Sequence, residues 1–103
     1  QAAAQLEEAK DALSQVKDGI MLEVTQSFLN LHQAKERTLV ADQGVKQAEE
    51  NYRVTNKRFR EGLVQTSDLL DAEVALLQAR TNYTQARVDF ELADARLQKA
   101  IGQ

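Results

Sequence analysis

Two aspartates, Asp68 and Asp71, one histidine, His32, and a basic group, Arg53, Lys57, Arg58 and Arg60, are the side chains whose chemistry most invites a function. Carboxylates three residues apart share one side of a helix. There they compensate the positive end of the helix, which accounts for their presence; if symmetry gathers several copies around an opening, they also favour cations. His32 stands alone: the chain has no cysteine and no second histidine, so no metal-ligand set exists and a structural role follows. The four basic residues suit the last turns of a helix and a solvated surface, with partner contact as the sharper alternative. No Ser–His–acid set, phosphate loop or ligand spacing appears. Neither catalysis nor a cofactor or metal is expected.

The elements that carry these residues are helical by composition. The 103 residues hold 43% hydrophobic and 28% charged side chains, no Pro, no Trp and four Gly. Such usage belongs to long helices and coiled coils, which bury themselves along seams rather than in a thick core. The formal charge of −3, with no long Lys/Arg tract, gives no reason to expect nucleic acid. No signal peptide and no apolar run of membrane-spanning length is present, and the chain opens on Gln1. It therefore reads as a piece of a larger protein whose membrane part lies elsewhere.

Periodicity makes the fold explicit. Leu69, Ala72, Leu76, Ala79, Tyr83, Ala86, Phe90, Ala93, Leu97 and Ala100 alternate steps of three and four, an unbroken coiled-coil seam. A matching seam runs through Leu31, Ala34, Thr38, Ala41, Val45, Ala48, Tyr52, Thr55 and Phe59. Between them Gly62 supplies a stop, and Thr66 or Ser67 supplies a cap, with Asp68 and Asp71 in the first turn of the next helix. Folding there brings large against large (Tyr52–Leu76, Val45–Tyr83, Thr38–Phe90, Leu31–Leu97) and Ala against Ala (48–79, 41–86, 34–93). The expectation is all-α: one long antiparallel coiled-coil hairpin over 1–103, with a helix over about 5–61, a turn over about 62–66 and a helix over about 67–101. Tyr52, Tyr83, Phe59 and Phe90 are core. Gly19 and Gly44 serve close approach or bending.

Two features exceed a simple hairpin. The first helix is the longer, so Leu6, Ala9, Leu13, Val16 and Ile20 form a seam with no partner in the chain. Each helix also has a weaker second stripe: Leu22, Thr25, Leu29, His32 and Leu39 on the first, and Leu70, Val74, Leu77, Thr81, Thr84, Val88 and Ala95 on the second. A helix with two seams packs between two neighbours, as in a closed ring. Ile20, Val24, Phe28 and Leu31 carry the seam through a four-residue stutter that locally unwinds the supercoil.

The stretch Arg58-Phe59-Arg60-Glu61-Gly62-Leu63-Val64-Gln65-Thr66-Ser67-Asp68-Leu69-Leu70-Asp71-Ala72 resembles the periplasmic tip of TolC-family outer-membrane efflux proteins. Leu22-Glu23-Val24-Thr25-Gln26-Ser27-Phe28-Leu29-Asn30-Leu31 and the ending Leu97-Gln98-Lys99-Ala100-Ile101-Gly102 are similar to further stretches of that family. The resemblance implies a homotrimer, each subunit giving two hairpins to a twelve-helix periplasmic α-barrel below an outer-membrane β-barrel. It implies a periplasmic adaptor protein docked at the hairpin tips and, through it, an inner-membrane pump. By the same resemblance Gly62, Leu63, Val64, Thr66 and Ser67 form the docking tip, and Asp68 and Asp71 are acidic candidates at the pore mouth. One departure stands out. Where some members carry a gating Tyr before the Gly and an Arg after it, this chain has Phe59 and Val64, and Gly62-Leu63 is similar to the family's other tip. The alternatives are the adaptor's own coiled-coil hairpin, against which stand the second stripes and the helix ending at Ile101-Gly102, and a free-standing coiled-coil scaffold for dimerisation, against which stand the unpaired overhang and the tip motif.

Overall fold

A computed structural model describes residues 2–102. It contains two helices, α1 (Ala2–Arg60) and α2 (Thr66–Ala100), and no strands among the described residues. They fold back on one another as an antiparallel hairpin, a rod of 90 × 19 × 15 Å. At 1.5 Å per residue α1 measures about 88 Å and α2 about 52 Å, so α1 overhangs its partner by more than a third of its length.

The turn is built from backbone geometry. Gly62 adopts φ +76°, the left-handed conformation that costs L-residues with a Cβ about 1–2 kcal/mol. With Gly62 so placed, the Leu63 N–H donates to the Arg58 carbonyl (2.9 Å) and the Gly62 N–H to the Phe59 carbonyl (3.0 Å). These are the two crossed bonds of a Schellman motif, and they satisfy carbonyls that a helix end otherwise leaves open. Lys57, Arg58 and Arg60 occupy the last turn of α1, where positive charge meets the negative helix end.

The residues covered from solvent are the two seams and little else. Ala34, Ala72, Leu76 and Ala93 are buried, and every other seam position from Leu31 to Phe59 and from Leu69 to Ala100 is half-buried. The register is the one that the large–small alternation demands. Ala48 and Ala79 share a groove with Gly44, Ala41 and Ala86 meet in the next, and Ala34 and Ala93 meet in a third. Tyr52 lies beside Leu76 and Leu77, and its hydroxyl donates to Glu73 Oε1 at 3.3 Å. Thr38, a hydroxyl among hydrocarbons, shares its one proton between the Ala34 carbonyl of its own helix (2.9 Å) and the Ala86 carbonyl of α2 (3.2 Å). That resolves the cost of a polar group in the seam and pins the two helices at one height. Each ion pair among the described residues joins two side chains of the same helix, Lys46–Asp42 and Arg53–Glu50 in α1 and Arg87–Glu91 in α2. Burial and hydrogen bonds, rather than charge pairing, hold the helices together.

The stutter expected through Phe28 is corrected by the structure. Val24, Ser27 and Leu31 are the half-buried residues there, while Phe28 is 58% exposed. The last turn of α2 reaches this level, and seven residues back from Leu31 and Ala34 fall Val24 and Ser27. The seam keeps its heptad step and accepts a serine, and Phe28 is left on the flank. Beyond it Leu6, Leu13, Val16 and Ile20 stand exposed along the overhang. Gly19 and Gly44 are not points of close approach: a Cβ built on either meets nothing within 4 Å.

Candidate functional site

The tip presents Gly62, Leu63, Thr66 and Ser67 to solvent, while Val64 is half-buried beneath them. Leu63 is 69% exposed, and the turn explains why. In a Schellman motif the residue after the glycine commonly packs on an apolar side chain five positions back. Here that position is Arg58, so Leu63 has no hydrocarbon under it. Phe59 and Leu69, both half-buried, form the last layer of the seam below the turn.

Capping differs from the expected pattern. Gln65, not Thr66 or Ser67, is the N-cap of α2, with extended backbone at φ −86°, ψ 162°. The Asp68 carboxylate, three residues on, accepts a hydrogen bond from the Gln65 N–H at 3.0 Å, the returning half of a capping box. Ser67 Oγ turns back to Gln65 Oε1 at 3.5 Å. A carboxylate in the first turn also meets the positive helix end, so Asp68 stabilises the turn twice over. Asp71 lies one turn further along and is not part of the first turn; it is exposed. The spacing of Gln65 and Asp68 was a readable signal for this cap, hidden by the hydroxyls between them.

Above the tip the hairpin has two unlike broad faces. On one, three grooves join end to end through shared residues: Gly44, Ala79 and Asn82 link the lower two, and Arg37 and Asp89 link the upper two. The lower part of this trough has Gln47, Asn51, Gln78 and Asn82 at its rims over an alanine floor. Several of its amides are tied along their own helix, Gln78 Nε2 to Asn82 Oδ1 and Gln85 Nε2 to Asp89 Oδ1, each at 3.0 Å. On the other face Glu49, Tyr52, Glu73, Leu77 and Arg80 surround the top of Leu76. The amide trough was not legible as a site in the sequence, because amides four and seven apart leave no hydrophobic period.

Electrostatic perturbation falls on exposed pairs. A hydrogen bond from Arg53 holds the Glu50 carboxyl below its ordinary range, and the same bond raises Arg53. Arg87 is raised by its bond to the Tyr83 hydroxyl and by Glu91. These pairs are solvent-exposed, and none has the desolvated, strongly shifted group of a proton-transfer centre. His32 is exposed, and no cluster of metal-ligating side chains exists among the described residues. No helix of the described residues is long and apolar enough to cross a membrane.

The second stripes are uncovered. Leu22, Leu29 and Leu39 on α1 and Leu70, Val74, Leu77 and Val88 on α2 are between 45% and 69% exposed. A family model described as outer membrane efflux protein matches residues 1–103. No curated protein and no solved structure matches the chain.

Proposed function

The chain belongs to the outer membrane efflux protein family, and from that premise we propose that it is a wall segment of a trimeric export conduit, set in the periplasm. In this reading its tip docks a periplasmic adaptor protein, which joins it to an inner-membrane pump. One observation supports it above the others: each helix has a covered seam and a second, exposed apolar stripe. A two-helix hairpin complete in itself has no use for the second stripe, whereas a stave of a closed barrel has a neighbour on both sides. The overhanging residues Leu6 to Ile20 then pair with another helix of the subunit, and the hairpin carries no catalytic activity of its own.

At the tip Gly62, Leu63, Val64, Thr66 and Ser67 form the docking surface, with Leu63 as its apolar point and Val64 as its support from beneath. Asp68 and Asp71 are the acids nearest the mouth. Asp68 is committed to its cap, which leaves Asp71 the freer charge there.

Replacing Leu63 by Asp in the full-length protein tests the docking role. Leu63 is exposed and contributes little to the hairpin, so folding and trimer assembly persist. On docking, a carboxylate at this point must give up its water, which is strongly unfavourable without a partner charge. Export is expected to be lost together with cross-linking to the adaptor. Normal export at normal protein level would show that this tip is not the docking surface.

A further inference from the structure

The conduit reading leaves open which broad face of the hairpin looks inward, and the structure distinguishes the two. Seven-residue spacing keeps side chains on one face of a supercoiled helix. Asp68, Ala75, Asn82 and Asp89 therefore form one row of α2, and Asp71, Gln78 and Gln85 form the row beside it. Both rows belong to the trough face, where α1 answers with Val40, Gly44, Gln47 and Asn51, the valine 67% exposed. The row Glu73–Arg80–Arg87 belongs to the opposite face, with Glu49 of α1 beside it, and Leu70, Leu77 and Thr84 beyond it belong to the second stripe.

Between Asp71 and Asp89 the trough rows of α2 contain no charge at all, only amides and alanine. The opposite face at the same height carries Glu49, Glu73 and Arg80 as exposed ions. A conduit wall must not retain what passes over it. Exposed ions hold counter-charged solutes back. Amides bonded along their own helix, as Gln78 is to Asn82, carry no charge to do so.

We propose that the trough face lines the conduit, so that Asn51, Gln78, Asn82 and Gln85 form a neutral amide belt above the acidic mouth of Asp68 and Asp71. The belt passes solutes of either charge sign, and any preference for cations is set at the mouth. The opposite face, with Glu49, Glu73 and Arg80, looks outward to the periplasm. This rests on the conduit reading above and deepens it.

The test is ion selectivity of the full-length trimer in planar bilayers, read as the reversal potential across a salt gradient. Asn82→Asp adds one negative charge per copy on the trough face, keeps the side chain's shape and leaves an oxygen to accept the Gln78 bond. Arg80→Gln makes the charge equally more negative on the other face. Asn82→Asp is expected to raise the cation-to-anion permeability ratio about twofold or more at low salt, where screening is weak, with Arg80→Gln near the parent. A second variant, Asn82→Cys in this cysteine-free segment, is expected to lose conductance when a bulky thiol reagent reacts with it. The proposal is overturned if Arg80→Gln shifts the ratio and Asn82→Asp does not, or if conducting channels respond to neither Asn82 variant. Absence of conductance from the parent trimer itself would instead overturn the conduit reading.

Discussion

The same substitution, Gly to Ala, is expected to have opposite effects at two glycines about 27 Å apart along α1 and its turn. Gly44 is helical, half-buried and free of neighbours: an added Cβ meets nothing within 4 Å. Alanine there restricts the unfolded chain and gains about 1 kcal/mol of helix propensity. Gly62 also has open space around its missing Cβ, but its φ is +76°. Alanine there clashes with nothing outside itself and still costs about 1–2 kcal/mol, because its own Cβ disfavours the left-handed backbone. At such a separation the effects should add within about 0.5 kcal/mol, leaving the double variant near or slightly below the parent. Urea and thermal unfolding of the 103-residue chain followed by far-UV circular dichroism measures all three, with about 4–8 °C in Tm for each kcal/mol. Asparagine at position 62, which tolerates this conformation better, should recover part of the loss. A Gly44→Ala chain less stable than the parent would show that the helices need the glycine for contact, contrary to the open space beside it. A neutral Gly62→Ala would show that the turn does not depend on the left-handed residue.

Leu76→Ala removes a buried seam residue beside Tyr52 and should cost about 2–3 kcal/mol, the low end for such a truncation because the groove beside it lets solvent in. Leu77→Ala, one residue on but 66% exposed, should change stability by less than about 0.5 kcal/mol; equal losses would mean the register is wrong. Asp68→Ala removes the carboxylate that accepts the Gln65 N–H and should cost about 1 kcal/mol, read both by unfolding and by faster amide exchange at Gln65. An unchanged Gln65 exchange rate would refute the cap.

The hairpin was legible in the sequence because it is written in volume as well as in polarity. Tyr52 opposite Leu76 and Ala48 opposite Ala79 constrain the register in a way that hydrophobicity alone does not. Where volume gave no signal, the reading failed. Phe28 outweighs Ser27 on any apolar scale, yet the heptad step carried by Leu31 and Ala34 places the serine inward. Thr66 and Ser67 are better N-caps than Gln65 by residue type, but the turn closes early enough that the return bond from Asp68 decides the position. The exposure of Leu63 depends on which residue stands five places before it, and so on the hydrogen-bond pattern of the turn. The amide trough emerges only when two helices are set side by side.

The alternation of large and small layers has a mechanical consequence. Sliding one helix along the other by half a repeat would set large residues against alanine, and the next equivalent arrangement lies a full heptad away, about 10 Å. The Thr38 hydroxyl, bonded to a carbonyl on each helix, resists even the first step. A push or pull at the tip is therefore delivered to the far end as displacement of the whole hairpin, with little lost to shear between its helices. Bending is another matter: the rod is 15 Å thick in its thinnest direction and the core is one layer deep. It is stiff along its axis and compliant across it, the behaviour of a barrel stave that can splay or lean without coming apart.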